Sequence, residues 1–341
     1  AAAMTALQGR DARLDAGSES KIQLPGQQHQ QRFVQKRKRL RSEQRDGVED
    51  VIAVMVSGQC SRFLYRDQPG PFFTNRNTVV DVYILLHCPS AMIQPYFGTI
   101  DPPPYMEHGP NVQDIEYWYR TVKGARHVFV SIVDDQTMDA AEAYVTAAAI
   151  SLHGIDYSRK PADDLNDMLS LFPTWRAEVR KFYLRHAVFS MTQQRNYAGY
   201  MYVREDNYFL EPLDLDRVYF SQNRTTHPEP YVALDQPCEF KGSYSDKVYV
   251  ANQAGANVLF GSTEAEFLET MKRYVLFIYY RFNITPEPYQ PEAFVHDSLA
   301  QTEVHKFNML RVDARYIGKT ICIPHLYLWC MPQETQKLAE H

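Results

Sequence analysis

The sequence predicts an α/β domain: a mixed, mainly parallel sheet flanked by helices, arranged as two abutting lobes. Three observations carry this expectation. Short apolar, β-branched runs recur along the chain, as buried parallel strands require. Helix-length segments with few breakers lie between them. With 341 residues, 45 % of them apolar and 13 % aromatic, the chain can bury a large core.

Taken in order, residues 1–49 are rich in Gln, Ser and charge and lack apolar periodicity, which predicts a disordered polar tail. The tail carries a basic cluster, QKRKRLR, at 35–41. Order is expected from "VIAVMVSGQCSRF" (51–63), an apolar strand that runs into a tight turn at Ser57-Gly58-Gln59. Further strands are expected at 79–88 and 127–133, with a Pro/Gly loop at 98–110 between them. The Ala-rich segment 138–152 predicts a helix. A second helix is expected at 175–194, where Val179, Phe182, Tyr183, His186 and Phe189 share one face.

A strand at 200–203 then leads into Arg204-Glu205-Asp206. Short strands are expected at 217–222 and 246–252, and Gly255 and Gly261 read as framing a turn. Thr263 and Glu266 are spaced as a capping box for a helix over 261–282. A helical stretch is expected at about 291–307 and a closing strand at 319–330. The folded domain therefore spans 50–331, and 332–341 is a C-terminal tail.

Several functions are disfavoured. A net charge of −5 argues against nucleic acid as the main partner, because binding the phosphate backbone needs a basic field. The five cysteines are scattered without a CxxC pair, so isolated buried thiols are expected and a disulfide framework is not. No run of about eighteen apolar residues offers a transmembrane segment. GxSxG, GxxxxGK[ST] and GxGxxG are all missing. The histidines are single, and the Tyr117-Trp118-Tyr119 cluster reads as packing.

In an open α/β sheet, ligands bind beyond the carboxyl ends of the strands. Three stretches qualify: Ser57-Gly58-Gln59 with Arg62, Asp134-Asp135, and Arg204-Glu205-Asp206. Hard divalent cations take carboxylate oxygens and share phosphate oxygens, so an acidic strand end next to arginine suits a metal–diphosphate site. Asp134-Asp135 is a rival for the metal, and it also reads as a helix start.

Taken together and in order, these pieces resemble a group of GT-A-type nucleotide-sugar glycosyltransferases of algae, large viruses and microbes. The resemblance rests on Ser57-Gly58-Gln59 with Arg62-Phe63, Asp81-Val82-Tyr83-Ile84, and "YAGYMYVREDNYFLEPL" (197–213). Ser245-Asp246-Lys247, "FGSTEAEFLETM" (260–271) and Pro291-Glu292 complete it. Lys247 stands where that group has arginine, and Glu205 where it has proline.

The resemblance implies a GT-A-like fold and a metal-dependent transfer of sugar from a nucleotide diphosphate donor to a glycan, protein or small-molecule acceptor. It implies Asp206 and Glu205 as ligands of Mn²⁺ or Mg²⁺. Ser57, Gly58, Gln59, Arg62, Arg204 and Lys247 would then contact the donor, and Asp246 or Glu292 would be the catalytic carboxylate. The alternatives are another metal- and phosphate-handling enzyme, or an inactive relative that binds sugar or protein. The compartment stays open: sequons at Asn223 and Asn283 suit a secretory lumen, whereas few cysteines suit the cytosol.

Overall fold

Val51–Gln59 forms the central strand, β1, because its apolar run can be buried on both faces only inside a layered sheet. The computed structural model describes residues 51–63, 65–67, 71–73, 78–89, 110–150, 175–209, 212–219, 229–235, 247–284, 299, 302–307 and 311–313. β2 (Val79–His87), β3 (Ala125–Val133), β4 (Gly199–Arg204), β6 (Tyr231–Asp235), β7 (Val248–Ala251) and β8 (Glu303–Phe307) join β1 in one seven-stranded sheet. Its order is β3-β2-β1-β4-β7-β6-β8. β1 pairs in parallel with both β2 and β4, and β7 alone runs against the other strands. β5 (Asn207–Phe209) and β9 (Arg311–Asp313) make a small antiparallel pair. The fold is therefore α/β with a mixed, mainly parallel sheet, as expected.

Alternate residues of a strand face opposite layers, and the two cores follow this rule. Ala53, Met55, Tyr83 and Leu85 face helices α2 (Asp135–Ile150), α3 (Trp175–Thr192), α5 (Gln253–Phe260) and α6 (Glu264–Ile284). Ile52, Val54, Val56, Val82, Ile84 and Leu86 face α1 (Val112–Thr121) and the helical turn α4 (Leu215–Val218). All five residues on the predicted face of α3 are buried. Thr263 Oγ1 accepts from Glu266 N at 3.2 Å, and Glu266 Oε2 accepts from Thr263 N at 3.3 Å, which completes the expected capping box of α6.

Four expectations are corrected. Residues 215–218 are helical where 217–222 was expected to open a strand, since Leu215, Val218 and Tyr219 turn together into the core. Residues 303–307 are a strand and not helix, because β6 supplies a parallel partner. Gly255 lies inside α5, where a Cβ would fall 2.1 Å from the Tyr231 carbonyl oxygen, so the helix reaches β6 only through a glycine. The cysteines are not all isolated: Cys60 and Cys88 form a disulfide, with Cα atoms 5.0 Å apart. The tails and the strand expected at 319–330 lie outside the described residues.

Candidate functional site

The chain crosses from β1 to β2 and β3 on one side, then returns to place β4 on the other side of β1. The sheet order thus reverses between β1 and β4, and the crevice outside their carboxyl ends is where such sheets take ligands. Ser57 and Arg204 are register partners at that point. The two strand ends are tied by Glu205 N donating to the Ser57 carbonyl at 3.2 Å. The start of β7 closes the third side, with Arg204 N donating to the Lys247 carbonyl at 2.9 Å.

A polar cluster fills this point. After Gln59 the chain makes a 3₁₀ turn, Cys60–Arg62, which carries Arg62 back over the end of β4. Arg62 pairs with Glu205 through Nη2, and its Nη1 donates to Asp206 Oδ2 at 3.4 Å. Arg204 grips Asp206 with both ends of its fork, Nε to Oδ1 at 2.6 Å and Nη2 to Oδ2 at 2.8 Å. Asn207 Nδ2 donates to the same Oδ1 at 3.1 Å.

Gly58 has φ 152°, and a Cβ there would lie 1.7 Å from Glu205 Oε2. The glycine is therefore required by the Glu205 carboxylate that packs on it. Burial pushes the Glu205 carboxyl above its ordinary value; Arg62 pulls against this and the Asp206 charge adds to it. For Asp206 burial opposes ionisation too, yet the charges of Arg204 and Arg62 outweigh it and hold the carboxyl well below the usual range.

The expected metal role can be tested on this donor set. An ionised carboxylate offers about four lone-pair directions. On Asp206 these are taken by Arg204, Arg62 and Asn207. Glu205 is turned inward onto Gly58, with its side chain 1 % exposed. Among the described residues no group of three or more His, Cys, Asp or Glu side chains could hold a metal ion. As placed, the Glu205 and Asp206 carboxylates are engaged by the guanidinium groups of Arg62 and Arg204.

The other candidates fall as follows. Ser57 is buried, and its hydroxyl shares a hydrogen bond of 3.3 Å with Tyr202 Oη, which also accepts from Arg185 Nε at 3.2 Å. Gln59 and Lys247 are partly exposed at the rim. Asp134 caps α2, its Oδ1 accepting from Thr137 N at 2.8 Å, and Asp135 meets His87 Nε2 at 2.9 Å. Burial pushes the His87 imidazole below its ordinary value despite that carboxylate. Asp246 and Glu292 lie outside the described residues. Sequence reasoning missed Asn207, Tyr202 and Arg185; the first adjoins the acidic pair, and only the fold links the other two to it.

No protein-family model and no curated protein matches the chain. Among solved structures it is similar to apo mouse xyloside xylosyltransferase 1, at 8 % identity and a TM-score of 0.35, over 75 % of this chain and 85 % of that one. A likeness at this level assigns no activity.

Proposed function

We propose that the chain is a glycosyltransferase using a nucleotide-sugar donor, whose diphosphate docks outside the carboxyl ends of β1 and β4. The observation that carries this reading is the arginine-rich cluster at the point where the strand order reverses. Guanidinium forks match phosphate oxygens in pairs, and a diphosphate leaving group needs fixed positive charge as its own charge develops. The Gly58 backbone is covered by the Glu205 carboxylate, and the Ser57 hydroxyl faces inward and supports the turn from below. Asp246 and Glu292 remain the candidate carboxylates for taking the acceptor hydroxyl's proton. A non-catalytic relative is the second reading, favoured by how fully Glu205 and Asp206 are engaged by the protein's own side chains.

Incubating the full chain with a panel of nucleotide sugars and following nucleoside diphosphate release by mass spectrometry tests this. One donor is expected to be consumed, with its sugar appearing on an added glycan or alcohol. Binding of a nucleotide sugar with no consumption under any condition would favour the non-catalytic reading.

A further inference from the structure

The two outer strands of the sheet differ in kind. β8 is five residues long and carries Glu303, His305 and Lys306, the short, charged make-up that keeps an edge from pairing. β3 is nine residues long, and its stretch Val128-Phe129-Val130-Ser131-Ile132-Val133 holds no charge, proline or glycine. Among the described residues, no strand pairs with its outer side. The Val133 carbonyl accepts from Cys88 N at 3.0 Å and so points toward β2. Successive residues of a strand turn their N–H and C=O groups to opposite edges. Val128, Val130 and Ile132 therefore aim theirs away from β2.

The side chains of this margin point the same way. Tyr117 of α1 and Ile132 of β3 are the two exposed large apolar side chains among the described residues, at 66 % and 39 %. Ile132 follows the face of Val128 and Val130, which packs toward α1. The ends of β3 differ in sign: Arg126 stands at its start, and Asp134 and Asp135 follow its end. Arg126 and Asp134 are exposed, and each is four residues from Val130. A two-fold axis through Val130 thus lays the basic end of one copy beside the acidic end of another, whereas parallel pairing would set like against like. Each charge keeps a partner in its own chain, Asp81 for Arg126 and Thr137 N for Asp134, so the match lies in the sign of each end and not in a vacant contact.

We infer that the outer edge of β3 is a self-association surface, which takes β3 of a second copy of this chain in antiparallel pairing about Val130. Val130 pairs with Val130 of the second copy and Val128 with its Ile132, each pair exchanging two main-chain hydrogen bonds. The two sheets become one across the joint, and the α1 layers of both copies lie on the same side. Ile132 is buried there, and the two Tyr117 side chains approach each other. β2 lies between β3 and β1, so the joint is set apart from the crevice at β1 and β4.

Sedimentation velocity of the full chain over about 1–100 µM tests this, since the dimer share must rise with concentration. Ile132→Lys puts a charge on each side of the joint, at a position already exposed in the single chain. It should weaken association at least about tenfold while leaving the circular dichroism spectrum unchanged. Amide hydrogen exchange reads the register directly. The Val128, Val130 and Ile132 amides should exchange at least about tenfold more slowly at the dimeric end of the range than at the monomeric end. A chain that stays monomeric throughout would overturn the inference. So would a dimer indifferent to Ile132→Lys, or one in which these three amides gain no protection, because either result places the contact elsewhere on the molecule.

Discussion

At Gly58 a hydrogen atom stands where any other residue would drive a carbon into the Glu205 carboxylate. Gly58→Ala must move Glu205 or the turn, and it also strains a backbone at φ 152°. The expected loss is at least about 2 kcal/mol of unfolding free energy, read by urea denaturation. Diphosphate affinity should fall with it, since Arg62 follows Glu205. A variant as stable as the parent would show that the carboxylate has room to retreat. This partnership was illegible in the sequence, because Gly58 and Glu205 lie far apart along the chain and meet only through β1–β4 pairing. The sequence did expose Arg204-Glu205-Asp206 as a charged strand end. It did not expose that Arg62 folds back onto those carboxylates.

At the scale of the elements, the opposite end of the strands has its own buried charge. Asp81, fully buried near the start of β2, accepts from Arg126 Nε at 3.0 Å and Arg126 Nη2 at 2.8 Å, from Arg195 at 3.2 Å and from Tyr197 Oη at 3.1 Å. One carboxylate thus ties β2 to β3 and to the segment entering β4. Burial opposes its charge, yet Arg126 and Tyr197 bring the carboxyl below its ordinary value. A depressed carboxyl stabilises the fold above its unfolded pKa of about 3.9, and that stability is lost as pH falls through the folded value. Asp81→Asn should therefore cost about 1–3 kcal/mol at neutral pH, since Arg126 and Arg195 keep access to solvent. The gap from the parent should narrow as pH drops below about 4, as guanidinium denaturation across pH would show. A pH-independent gap would mean that packing, and not charge, ties these strands.

The elements themselves were legible in proportion to their periodicity. β1 is read from an unbroken apolar run, and α2, α3 and α6 are long, with apolar residues recurring at helical spacing. β6 and β8 are five residues each, and residues 303–307 are strand because they pair with β6, which outweighs local pattern. α1 went unread beside its Pro-rich neighbour, although Asn111 caps it by accepting from Gln113 N and Asp114 N.

Over the whole molecule, the Cys60–Cys88 bond joins the turn after β1 to the residue after β2, across a sequence separation of 28. Closing a loop of that size in the unfolded chain is worth about 3–4 kcal/mol on the chain-entropy account. Thermal unfolding with and without a phosphine reductant should show a lower midpoint in the reduced protein. Identical midpoints would mean that the two thiols stay unlinked in solution. The pairing escaped sequence reasoning because five scattered cysteines give no spacing signal, and only the parallel register of β1 with β2 brings these two together.

That bond also gives the site a chemical handle. Cys60 lies two residues before Arg62 and is buried, while Cys88 is partly exposed. With Cys238, Cys322 and Cys330 replaced by serine and the pair reduced, a maleimide fluorophore would find its attachment point at Cys88, beside the turn that carries Arg62. A ligand that settles on that turn would then announce itself as a change in emission.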